Sequence, residues 1–203
     1  MMSGSLLAAF VLFAFVSSIT PGPNNIMLLA SGVNYGWRPT LPHIFGIKVG
    51  FIIMVVLVGL GFGQVFERFP LLYVVLKWLG TAYLLWLAWK LFTAGGSVGP
   101  IAGEGRPMSF LQAAAFQWVN PKAWTMSVAA IATYTVPDAF TTSVFMVALI
   151  YGLVGLPSSV FWTVSGVGLK RFLGNERPVR GFNVAMALLL IVSLIPTFVS
   201  AFH

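Results

Sequence analysis

The chain has 203 residues, of which 59% are hydrophobic and 7% charged, with a mean hydropathy of +0.95. A soluble domain carries about 25% charged residues, so this surface cannot face water, and the chain reads as an all-α integral membrane protein with essentially no soluble domain. The absence of cysteine excludes disulfides and thiolate metal sites. A net charge of +7, carried by bases that are scattered or gathered at one loop, describes membrane orientation rather than a nucleic-acid surface.

Six apolar segments of bilayer-crossing length follow one another, at 5–33, 41–66, 70–93, 109–135, 139–168 and 180–202. In lipid each must satisfy its own backbone, so they are predicted as helices. The opening MMSGSLLAAF has no basic residues ahead of its apolar run, so it is expected to be a retained span rather than a signal peptide. That first span is interrupted by Thr20-Pro21-Gly22-Pro23-Asn24-Asn25. Proline removes a backbone donor and crowds the preceding turn, and in hydrocarbon such a break is tolerated only where it faces protein or a watery cavity.

The second span opens with "LPHIFGIKVG". Lys48 falls about 10 Å inside its cytoplasmic end by the helical rise. An intramembrane charge is a functional candidate, and a lysine at that depth can equally snorkel to the interface. Gly46 and Gly50 carry the spacing of a helix-packing notch and also lie where a ligand could approach. His43 is either a proton carrier near neutral pH or an interfacial residue of no special role. The third span, "LKWLGTAYLLWLAWKLF", carries Lys77 and Lys90 near its ends as anchors.

The glycine-rich segment 94–108 lacks the lysine and Ser/Thr of a phosphate loop and reads as a cytoplasmic linker. It divides the chain into a first repeat, 1–93, and a second, 109–203, of three helices each. An odd number of helices per half inverts the second half relative to the first. The fourth span contains Asn120-Pro121-Lys122, again a polar residue before proline well inside a span. Counting along the helices, Pro21 lies about 24 Å from the outer end of its span and Pro121 about 18 Å from the inner end of its own. The two breaks are therefore predicted to meet near mid-membrane, which is how inverted-repeat transporters build a binding site.

Loop charge sets the orientation. Arg38, Lys90, Arg106, Lys170, Arg171, Arg177 and Arg180 fall in or beside the first, third and fifth gaps, which places those gaps in the cytoplasm and both termini outside. The four acids, Glu67, Glu104, Asp138 and Glu176, are all expected in loops, leaving no carboxylate in mid-membrane. Any proton coupling then falls to Lys48, Lys122, His43, a loop acid or the substrate.

The polar groups of the breaks suit a zwitterion. A half-helix starting after a break offers N–H groups and a partial positive end to a carboxylate. Freed carbonyls and the amides of Asn24, Asn25 and Asn120 can accept from an ammonium, and Lys122 can pair with a carboxylate. Pro21, Gly22, Pro23 and Pro121 would hold the backbone open, with Thr20 beside them.

At "SSITPGPNN", "LPHIFGIKVG", "LKWLGTAYLLWLAWKLF" and "FQWVNPKAWTM" the chain resembles the lysine-exporter and homoserine/threonine-exporter superfamily of bacteria over nearly its whole length. Within it, "TPGPNNI" with "AYLLWLAWK" is most similar to the branch that exports cysteine and O-acetylserine. The resemblance implies a plasma-membrane amino-acid exporter working against the proton gradient, with no cofactor and no metal. Many members carry an aspartate after the second glycine of the span-two motif, where this chain has Phe51. The expectation is therefore a secondary exporter of a small neutral amino acid. The oligomeric state, homo-oligomer included, stays open. The rival readings are a cation or metal exporter, against which the chain offers no cysteine and two distant histidines, a non-transporting assembly subunit, and an intramembrane enzyme, for which no nucleophile and base stand together.

Overall fold

The computed structural model describes residues 2–93, 106–173 and 176–195. Most of the expected linker, including Glu104, and the end of the sixth expected span lie outside the described residues. What is described is helical, and strands are absent among the described residues. The helices are α1 (Gly4–Ile19), α2 (Pro23–Tyr35), α3 (Trp37–Leu57), α4 (Gly63–Arg68), α5 (Pro70–Thr93), α6 (Phe110–Phe116), α7 (Pro121–Tyr134), α8 (Phe140–Lys170) and α9 (Glu176–Val192).

Three helical stretches are long and apolar enough to cross a bilayer, namely Trp37–Phe62, Val74–Thr93 and Pro137–Lys170, and α1 with α2 forms a fourth, bent by 54°. Apolar side chains stand far out of the protein along these elements, as at Trp89 (64% exposed), Leu79 (57%) and Leu153 (62%). Water does not tolerate such a surface, and lipid does.

The prolines act differently from what an interior kink would give. Thr20 precedes Pro21, and the clash with the ring holds it extended at φ −61°, ψ 142°, which ends α1. Gly22 is fully extended, and Pro23 then stands in the first turn of α2, where a missing N–H costs nothing. The second break repeats this logic. After a 3₁₀ turn at Gln117–Val119, Asn120 precedes Pro121 in extended geometry, φ −86°, ψ 109°, and Pro121 opens α7. The prolines that do sit inside helices are Pro42 and Pro157. Accordingly α3 begins at Trp37, four residues ahead of the expected start, because Gly36 (φ 84°) turns the chain at once from α2 into α3. A second left-handed glycine, Gly61 (φ 101°), lies in the π-helical segment Val58–Phe62 that links α3 to α4.

Acidic residues meet helices more closely than expected. Glu67 lies in α4, Asp138 in a 3₁₀ turn at Pro137–Ala139, and Glu176 at the first residue of α9.

The helices pack crosswise between the halves. α8 lies against α1 and α2, α3 lies against α6 and α8, and α5 lies against α9. Backbones touch where glycines allow it. A Cβ on Gly32 or Gly166 would run into the facing backbone at the α2–α8 crossing, and one on Gly46 or Gly50 would run into α6. The packing reading of Gly46 and Gly50 is thus the one their surroundings carry. Two apolar clusters flank these crossings, one with Leu28, Ile44, Leu84 and Leu190, the other with Phe10, Met54, Val147 and Tyr151.

Gly166→Val is expected to lower the stability of the detergent-solubilised protein by about 1–3 kcal/mol through overpacking. Gly168→Ala, which meets nothing within 4 Å, should be neutral or slightly stabilising, and thermal unfolding of the two side by side checks this.

Candidate functional site

A helix leaves its last carbonyls without partners, and α1 ends at a break inside an apolar stretch. The structure accounts for each of them. Val16 O accepts from Thr20 N (3.1 Å) and Ser17 O from Thr20 Oγ1 (2.9 Å). Ser18 O takes two donors, Asn25 Nδ2 (2.7 Å) and Ser158 Oγ (2.8 Å), and Ile19 O takes Trp162 Nε1 (3.1 Å). Thr20 O accepts from Asn25 Nδ2 (2.8 Å) and from Lys122 Nζ (2.6 Å). Lys122 Nζ also reaches Thr20 Oγ1 (2.8 Å) and Pro21 O (3.4 Å). An ammonium from the second break is therefore seated in a cradle of oxygens at the first.

Gly22 makes that seat accessible. A Cβ there would fall 2.6 Å from Lys122 Cδ and 3.2 Å from its Nζ, so the lysine stem lies across the break in the space that glycine leaves and would have to shift for any larger residue. The requirement is space rather than backbone angle, since Gly22 is extended.

The two breaks are joined a second time by amides. Asn24 Nδ2 donates to Gln117 Oε1 (2.9 Å), Gln117 Nε2 returns a bond to Asn24 Oδ1 (3.2 Å), and Gln117 Nε2 also reaches Ala113 O (2.9 Å). At the second break Asn120 Oδ1 caps α7 by accepting from Lys122 N (3.1 Å), while Trp124 Nε1 donates to the freed Trp118 O (2.8 Å). The first residues of α2 have no such side-chain cap.

Between the breaks lies a cavity with a volume of about 40 Å³ for the centres of water-sized molecules, room for about three waters. Gly22, Asn24, Asn25, Asn120 and Lys122 line it together with Lys48. So do Ser17, Ser18, Ile47, Phe51, Ala123, Met126, Tyr151 and Ser159. Two amines and no carboxylate face this space among the described residues, and the field is positive. Lys48 Nζ and Ser18 Oγ both border Gly155, where a Cβ would come within 2.9 and 3.1 Å of them. Tyr151, 1% exposed, bonds its hydroxyl to Ser17 Oγ and is held edge-on by Phe10 and Phe51.

Six of the thirteen residues singled out in the sequence (nine for binding, four for coupling or gating) thus line one cavity. Thr20 and Pro21 contribute carbonyls to Lys122 instead, and Pro23 and Pro121 shape the helix starts. Gly46 and Gly50 pack on α6, away from the cavity. His43 is buried elsewhere, beside Ser31, Tyr35 and Arg106, with neither ring nitrogen bonded to protein. Sequence reasoning missed Gln117, Tyr151, Ser158, Ser159 and Trp162. The available signal was polarity inside spans four and five, which would have pointed to all five.

The family profile described as LysE type translocator matches residues 15–194 of the chain. The "Cysteine/O-acetylserine efflux protein" of Escherichia coli strain K12 is 31% identical over 199 residues, covering 97% of this chain and all of that protein. Its namesakes in Escherichia coli O139:H28 and Shigella sonnei are 32% and 31% identical over the same length and coverage. No solved structure matches the chain. With helix breaks meeting at one positively lined cavity and a family match over most of its length, the chain belongs to the LysE type translocator family and is a multi-pass inner-membrane efflux transporter of amino acids, not an enzyme.

Proposed function

We propose that this transporter exports a small neutral amino acid of the size of cysteine or O-acetylserine, by alternating access of two inverted three-helix halves about the cavity between the breaks. The observation that carries the reading is that cavity: two helix starts, two amines and, among the described residues, no carboxylate face one space between the breaks, which a small zwitterion would enter by displacing its water and widening it. The α2 N-terminus, uncapped by any side chain, and Lys48 favour the cargo's carboxylate. The oxygens of Thr20 and Pro21 suit its ammonium. Phe51, Ile47 and Met126 bound its side chain and keep it short. Asn24 and Asn25 position the break through Gln117 and the α1 carbonyls, and Asn120 holds the start of α7. Lysine, whose side chain adds a second ammonium, would meet amines without a counter-charge among the described residues, and the names of the relatives point the same way.

The inverted repeat is supported by the pattern of packing. Exchanging first for fourth, second for fifth and third for sixth expected span maps the contacts onto themselves. The α3–α6 contact becomes α8 against α1–α2, while α3–α8 and α5–α9 map to themselves. In this reading both termini lie outside, and coupling to protons runs through Lys48, which faces the cavity with no acid beside it among the described residues, rather than through His43, which does not line it.

In proteoliposomes, counterflow of labelled cysteine or O-acetylserine should exceed that of lysine by at least about tenfold, the equivalent of 1.4 kcal/mol of discrimination. Absence of exchange for every neutral amino acid, by protein shown to be folded, would overturn the reading.

Asn24→Ala and Gln117→Ala each leave a partner amide unpaired, at about 1–3 kcal/mol, so each should cut exchange by an order of magnitude. The double variant should be no worse than either single one, and additive losses would show that the two amides act separately.

A further inference from the structure

The transported amino group and Lys122 are the same chemical group, and the structure shows where one of them goes. Lys122 Nζ is seated on Thr20 O at 2.6 Å, Thr20 Oγ1 at 2.8 Å and Pro21 O at 3.4 Å. Among the described residues no acid takes part in this seat. Three neutral oxygens around a single ammonium form the pattern by which a primary amine is recognised. Gly22 is kept free of a side chain so that the lysine can reach it. The lysine belongs to α7 and the cradle to the α1–α2 break, so one amine bridges the two halves across the cavity wall.

We propose that Lys122 is an internal stand-in for the substrate's ammonium group: it fills the amine cradle of the empty transporter, and cargo binds by displacing it. The inference rests on the amino-acid cargo proposed above and adds the mechanism of that same site. In the empty protein the Lys122 ammonium adds a second donor to Thr20 O, which also takes Asn25 Nδ2, and reaches Pro21 O as well. Cargo brings its own ammonium to the same oxygens, so the displaced group is replaced like for like. The freed Lys122 ammonium remains within reach of the cavity, where the cargo's carboxylate needs a cation. Both the empty and the loaded carrier are then stitched across the halves, by the lysine in one and by the cargo in the other, and both can change orientation. A partner that competes with cargo for the cradle and then pairs with its carboxylate would also favour zwitterions over simple amines.

The test separates competition from charge pairing by using two probes. Binding of L-cysteine methyl ester, an amine without a carboxylate, and of O-acetylserine is followed by the intrinsic tryptophan fluorescence of the purified, detergent-solubilised protein. Removal of the competitor in Lys122→Met should tighten binding of the ester at least about fivefold, while O-acetylserine, which also loses its carboxylate partner, should gain less or weaken. Gly22→Ala keeps the charge and dislodges the lysine sterically, so it should tighten the ester in the same direction. In proteoliposomes, net efflux by Lys122→Met should fall several-fold more than exchange, because the empty carrier has lost its stitch. Unchanged or weaker ester binding in both variants would overturn the proposal, as would equal loss of exchange and net efflux. Wild-type protein that binds and exchanges no neutral amino acid would instead remove the cargo assignment beneath it.

Discussion

Everything at the centre of this protein depends on satisfying the carbonyls that α1 releases inside the membrane. A helix that stops there exposes acceptors to hydrocarbon, and each would cost several kcal/mol if left alone. The chain brings donors to them from four residues on three helices. Asn25 folds back from α2, Ser158 and Trp162 reach across from α8, and Lys122 arrives from the start of α7. The donors come from distant parts of the sequence, so the break cannot exist without the tertiary fold. The fold in turn is pinned where the break is.

The same constraint explains why the helix crossings are so close. Ser158 and Trp162 reach the end of α1 only because α8 lies against α1 and α2 with backbone in contact, at Gly32 and Gly166. On the other side Gly46 and Gly50 let α6 lie on α3, which sets the following 3₁₀ turn, and hence Gln117, opposite Asn24. Small residues at the crossings and polar residues at the breaks are parts of one arrangement. The cavity is the space these contacts leave.

Much of this could be read from the sequence, and the reason is proline. A residue before proline is driven out of the helical region, so Thr20-Pro21 and Asn120-Pro121 announce their breaks locally. The apolar lengths announce a membrane. What stayed hidden depends on packing between segments far apart in the chain. Lys122 reads as a free cation in the sequence, and its destination on Thr20, 102 positions away, follows only from how α7 meets the first break. Gln117 and Tyr151 gave no local sign of a partner. Asn25 looked like a ligand-binding amide and is committed to the α1 carbonyls. His43 looked interfacial and is 2% exposed, because α3 starts four residues earlier than the apolar pattern indicated and carries it inward.

The two breaks, alike in sequence, are held differently, and that difference bears on which side moves. The second break is largely self-sufficient: Asn120 caps its own helix and Trp124 returns to Trp118. The first break borrows three donors, Lys122 from α7 and Ser158 and Trp162 from α8. A change of orientation that slides the halves past one another leaves the α7 start intact and strips donors from the end of α1. The cost of motion is therefore concentrated at Ser18, Ile19 and Thr20. An ammonium on Thr20 O lowers that cost, whether it comes from Lys122 in the empty carrier or from cargo in the loaded one. In the proposed cycle, selection of the substrate and permission to move come from the same few carbonyls, held by Lys122 in the empty carrier and by cargo in the loaded one.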